Sequence, residues 1–179
     1  MNPPTDPKNP PAPPGADADD AALMELARGA FTLARAGDAQ QLGGLLDAGL
    51  PVGLRNERGD SLLMLASYHG HAEATRVLLE RGADPELTND AGQTPLAGAA
   101  FKGNTAIAAL LLDRGARVDG AGRDGRTALM FAAMFDKLEM LELLLQRGAK
   151  QDQRDADGRT ALDYARSMGA ARTAARLES

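Results

Sequence analysis

The apolar positions of the chain come in short bursts separated by polar, glycine-containing breaks. Ile107, Leu110 and Leu111 keep an i, i+3, i+4 spacing, which puts three large side chains on one helical face. That burst predicts a helix from about Thr105 to Arg114, closed by Gly115-Ala116. Upstream, Thr94-Pro95-Leu96 has the form of a helix start, with a hydroxyl able to cap and a proline at the first helical position. Ala99-Ala100 give this short helix a face that a neighbour can approach closely, and Gly103 ends it. Before the pair, Asn89-Asp90-Ala91-Gly92 is turn chemistry. A unit of one turn and two short helices cannot bury its apolar face alone and must stack on copies of itself.

The copies are visible as glycine ladders. Gly59, Gly92, Gly125 and Gly158 are spaced by 33 residues, and so are Gly49, Gly82, Gly115 and Gly148. Gly37, Gly70 and Gly103 keep the same interval until Asp136 breaks the series, and Gly169 resumes it. Three ladders sharing one period make a tandem repeat.

These residues resemble the ankyrin repeat, whose unit has this length and a Thr-Pro-Leu-His signature. Gly92-Gln93-Thr94-Pro95-Leu96 followed by Ala99-Ala100 is the nearest copy; Gly59-Asp60-Ser61-Leu62-Leu63, Gly125-Arg126-Thr127-Ala128-Leu129 and Gly158-Arg159-Thr160-Ala161-Leu162 are looser. Leu78-Leu79-Glu80-Arg81-Gly82-Ala83-Asp84 and Leu144-Leu145-Gln146-Arg147-Gly148-Ala149 resemble the ending of the family's second helix. The family's histidine is replaced by Met64, Ala97, Met130 and Asp163, which brings the rigidity of the helix starts into question but not the fold. The resemblance covers about Asp20 to Ser179 and implies an all-α solenoid of five helix-turn-helix units, three full and two capping. The expected units are 19–55, 56–88, 89–121, 122–154 and 155–179. Arg166, Arg172 and Arg176 fit a solvated terminal cap, as do Asp19, Asp20 and Glu25 at the other end.

Composition changes the picture at one end only. Seven of the ten prolines lie before Gly15, with little apolar beyond alanine. Residues 1–18 are therefore expected to be a disordered or locally polyproline-like tail beside a repeat domain at 19–179. The tail lacks the basic start and apolar core of a secretory signal, so the expected location is the cytoplasm, or the periplasm had a signal been removed ahead of residue 1. A net charge of −5 and a pI near 5.0 argue against nucleic acid, and no apolar run approaches a membrane span. Cysteine is absent, which removes disulfides, thiolate metal sites and a cysteine nucleophile.

No catalytic constellation is present. His69 and His71 straddle the turn at Gly70 and would point apart on a helix, and a zinc site wants three or four ligands. Gly120, Gly122 and Gly125 follow no strand, so they read as a turn and not as a phosphate loop. Asp152, Asp155 and Asp157 lack the acidic ladder and final glutamate of a calcium loop. The chain is expected to need no cofactor and no metal, and not to be an enzyme.

What remains is a binding face. The resemblance implies a concave surface built from the turn tips and the exposed side of each first helix. The residues just before each inter-helix break are Tyr68-His69, Phe101-Lys102 and Met134-Phe135, again at intervals of 33. Three of only six aromatics fall in these slots, whereas Phe131 and Tyr164 belong to a core ladder with Leu65 and Gly98. The alternative is that Tyr68, Phe101, Met134 and Phe135 pack between units; as an exposed strip they have the composition of interface hot spots. The turn tips are expected to add a polar rim, acidic near Glu57, Asp60 and Asp90, continuing through Gln93, and basic near Arg123, Arg126 and Arg159.

The expected function is a non-enzymatic interaction module, a monomer gripping a globular protein with its concave face, as an adaptor or as an inhibitor or immunity protein. The alternative is an accessory role in bacterial stress defence, supporting a peroxide-detoxifying enzyme. Both are what the resemblance implies, and the Ala/Arg/Gly-rich usage is consistent with a bacterial source.

Overall fold

The computed structural model describes residues 16–179, so residues 1–15 of the tail expected at 1–18 lie outside it, while residues 16–18 already belong to the first helix. Among the described residues ten helices pair into five units: α1 (Ala16–Ala36) with α2 (Ala39–Asp47), α3 (Leu62–Tyr68) with α4 (Ala72–Glu80), α5 (Pro95–Lys102) with α6 (Thr105–Asp113), α7 (Ala128–Met134) with α8 (Leu138–Gln146), and α9 (Ala161–Met168) with α10 (Ala171–Glu178). The first helix of each unit packs on the first helix of the next, and the second helices do the same, which gives two layers. The described residues hold no strand, only single bridges at Arg55–Ser61 and Ala121–Thr127. The architecture is the all-helical solenoid that the repeat predicts.

Four of the five units are started by the same device. Ser61, Thr94, Thr127 and Thr160 accept through their hydroxyls from the backbone N–H three residues on, in Met64, Ala97, Met130 and Asp163. The missing histidine is compensated at two of the four starts. Asp163 takes the N–H of Thr160 at 2.9 Å, and the sulfur of Met130 takes that of Thr127 at 3.5 Å. Each closes a reciprocal cap in place of an imidazole.

Small residues then set the spacing of the inner layer. Ala66, Ala99, Ala132 and Ala165, one in each of the last four units, are fully buried where first helices meet. The outer layer fills with Leu78, Ile107, Leu111, Leu141 and Leu144. Along it runs a ladder of ion pairs, each arginine reaching back to the preceding unit: Arg81 to Asp47, Arg114 to Glu80, Arg147 to Asp113 and Arg176 to Glu142.

The break in the third glycine ladder is a joint. Asp136 is the only non-glycine among the described residues with positive φ (51°), a conformation aspartate tolerates better than most. Its carboxylate accepts from the Thr173 N–H at 3.0 Å and from Arg172 Nε at 2.9 Å, while Arg172 also donates to its carbonyl. Those bonds, Arg172 first, hold its pKa below the usual carboxylate range. The last unit is stitched on through the residue that departs from the pattern.

Candidate protein-binding face

The candidate anchors sit at the C-terminal ends of the first helices. Tyr68 closes α3, Phe101 lies one residue from the end of α5, Met134 closes α7 and Phe135 follows it. The period of 33 stacks these ends, so side chains far apart in sequence meet. The rings of Tyr68 and Phe101 lie 6.2 Å apart at 15°, and Phe101 meets Phe135 edge-on at 4.6 Å. Tyr68 is 36 % and Phe135 37 % exposed, while Phe101 between them is half-buried. Met134 is also half-buried and packs on the core, so it supports the strip from beneath.

One ammonium and one imidazole border these rings. The Lys102 ammonium lies 4.7 Å from the centre of the Tyr68 ring, and the exposed His69 meets the same ring edge-on at 5.5 Å. Partial burial, then His71, Lys102 and Arg35, hold the pKa of His69 below its ordinary value. His71 is occupied elsewhere, its Nε2 2.7 Å from the Arg35 carbonyl of the preceding unit. Among the described residues no group of three or more His, Cys, Asp or Glu side chains is placed to hold a metal ion. The other two motifs resolve as turns. Asp155 accepts the N–H groups of Asp157 and Arg159 and the hydroxyl of Tyr164, and Gly120 lies against the Glu86 carboxylate, which would repel a phosphate.

Below Tyr68 and Phe101 the concave face opens into a groove of about 670 Å³. Met64, Leu65 and Gly98 form its floor, and Glu57, Asp90 and Gln93 at the turn tips form its far wall. Gln93 is exposed, as expected for a rim residue, although Asn89 ties both its N–H and its side-chain oxygen. Arg123 is exposed and joins no ion pair among the described residues.

Two rim expectations need correction. Asp60 is only 8 % exposed and is no solvated charge, because its carboxylate accepts from Asn56 and Asn89 and so ties one turn to the next. Arg126 is half-buried, paired with Asp124 and lying 5.3 Å from the centre of the Phe131 ring, so its charge is largely spent within the array. The acidic-to-basic gradient along the rim is weaker than the sequence implies. A contrast also runs across the groove, from Glu57 and Asp90 at the tips, with Arg58 among them, to Arg35 and Lys102 at the helix ends.

Sequence reasoning missed several neighbours of this face. Met168, 57 % exposed, lies one period beyond Phe135, and Arg35 lies one period before Tyr68. Extending the ladder both ways finds them. Leu23, Met24 and Leu26 on α1 are exposed large apolar residues, and no period points to them because α1 is longer than any other first helix.

The description "Ankyrin repeats (3 copies)" matches residues 31–121 and 118–177. The chain belongs to the ankyrin repeat family. One curated relative, an ankyrin repeat protein of Pseudomonas aeruginosa, is 56 % identical over 58 residues, which is 32 % of this chain and 34 % of the relative. The match thus spans about a third of that relative's length. Ankyrin repeats are protein–protein interaction modules, generally without catalytic activity. No described helix is long and apolar enough to cross a membrane.

Proposed function

We propose that the array binds a globular protein through its concave face, with Tyr68, Phe101 and Phe135 as the apolar anchors. The observation that carries this reading is the continuity of the three rings along a groove open to solvent. Aromatic side chains are stiff, bury large areas and dominate measured interface energies. A solenoid also places its extended binding surface on this side. The complementary partner carries a projecting apolar element, with acidic groups facing Lys102. The protein acts as a monomer in this reading, and its net charge of −5 disfavours nucleic acid and anionic membrane as targets. Where the element seated in the groove belongs to a partner's active site, binding reads out as inhibition, which is the inhibitor or immunity version of the same proposal.

The test replaces Tyr68, Phe101 and Phe135 together with alanine. Helical circular dichroism and sedimentation should stay as in the parent chain, because the rings are exposed or half-buried. Affinity for a partner captured from native lysate should fall by about 3–6 kcal/mol, allowing for non-additivity among hot spots. Unchanged affinity with a folded variant would move the binding face elsewhere.

A further inference from the structure

The aromatic groove does not stop at Tyr68. A second depression of about 640 Å³ lies beside α1 and shares Arg35, Glu57 and Arg58 with the first, so the two form one trough. Met24, Ala27 and Phe31 of α1 line its outer part. This part exists because α1 has 21 residues where α3, α5, α7 and α9 have 7 or 8. In the repeat register the start of α3 at Leu62 corresponds to residue 29, so residues 16–28 of α1 overhang the array. The overhang presents Leu23, Met24 and Leu26 at 51 %, 63 % and 49 % exposure, an apolar surface that the array itself does not cover.

The segment that enters α1 has the right chemistry for this trough. Seven of the twelve residues from Pro3 to Pro14 are proline. Proline-rich chain favours the extended polyproline helix, and that helix docks on aromatic-lined grooves at low ordering cost. The lengths agree. Twelve residues in this form span roughly 37 Å at ~3.1 Å each. The stretch of α1 from Ala16 to Arg35 spans about 29 Å at ~1.5 Å per residue. A segment doubling back along α1 therefore passes the whole overhang and reaches the ring of Tyr68. At the same rises, Asp6 falls level with about residue 33 of α1, near the shared arginines Arg35 and Arg58. Attachment to α1 also gives the segment an effective concentration near ~1 mM, enough for an individually weak contact to be populated.

We propose that residues 3–14 fold back along α1 and occupy this trough, seating prolines on Met24, Phe31 and Tyr68, so that a partner must displace them to bind. The proposal rests on the reading of the groove as the binding face and adds its regulation: the array carries its own competitor.

The absence of cysteine makes the test direct. Asn9→Cys in the full chain takes a nitroxide at a single position, and the amide signals are followed by NMR. Signals of residues 24–35, 57–58 and 68–69 should lose most of their intensity, while those of α6 and α8 on the outer layer keep theirs. Changing Pro10, Pro11, Pro13 and Pro14 to serine in the labelled chain should restore the trough signals. Broadening confined to the first turn of α1 would overturn the proposal. So would broadening of isotope-labelled chains by separate spin-labelled chains, since the occupant would then come from a second copy. The two readings fail separately. If the trough signals stay sharp while the triple alanine variant still loses its partner, the groove binds a partner without an internal competitor. If the signals broaden and the triple variant binds normally, the trough holds the segment and the partner sits elsewhere.

Discussion

Gly122 is where two units come closest. A Cβ built there would lie 1.6 Å from the carbonyl oxygen of Gly92, a backbone atom with no room to yield. Gly122→Ala should therefore cost about 1–3 kcal/mol, in the range of overpacked interiors. Gly44 is the opposite case. It lies inside α2, is exposed and has nothing within 4 Å of its Cβ position, so Gly44→Ala should stabilise by roughly 0.5–1 kcal/mol. Urea denaturation of the two variants reads both signs. Asp155 sets a pH dependence. Burial pushes its pKa up, but the Tyr164 hydroxyl, the N–H groups of Arg159 and Asp157 and the Arg159 charge outweigh that and bring it below the ordinary value. A carboxylate with a depressed native pKa contributes stability above the unfolded pKa of about 3.9 and loses it as pH falls through the native value. Melting curves below about pH 4 should accordingly fall less steeply for Asp155→Asn than for the parent chain. Equal slopes would remove Asp155 from the acid transition.

At the scale of the helices, the hydroxyl caps, the alanine face and the leucine layer repeat with one period, and stability is shared among neighbouring units. Leu111, fully buried in α6, should cost about 2–5 kcal/mol as Leu111→Ala. Leu177 is only partly buried on the terminal α10, and Leu177→Ala should cost clearly less. Equal losses in thermal denaturation would make α10 part of the core and not a cap. Most of this was legible because each device lies within one unit: Thr94 with Ala97, or Ile107 with Leu111. What was not legible depends on how one unit is set against the next. The arginine ladder joins residues 34 apart, one more than the period, because each arginine reaches the residue before its own equivalent. Asp60 has the composition of a rim residue and is drawn inward only by Asn89 of the following turn. The α1 overhang lies outside the periodicity altogether.

Across the whole molecule, stacking converts spacings of 33 and 34 in sequence into ring contacts of 6.2 and 4.6 Å. The candidate anchors were thus readable from the ladder, while the groove beneath them was not. Its floor of Met64 and Leu65 belongs by pattern to the core, yet both line the groove. The electrostatics follow the same division. Side chains from successive units set a contrast across the groove, where the linear order of charges had implied one along it. These features support the proposal that another protein is held on the concave face. The most direct measurement is site-specific photo-cross-linking in native lysate, with benzoylphenylalanine at Phe101 on the groove and, separately, at Ala106 on the exposed side of α6. A discrete cross-linked partner is expected from position 101 and none from position 106. A partner captured from position 106, with position 101 silent, would contradict the proposal.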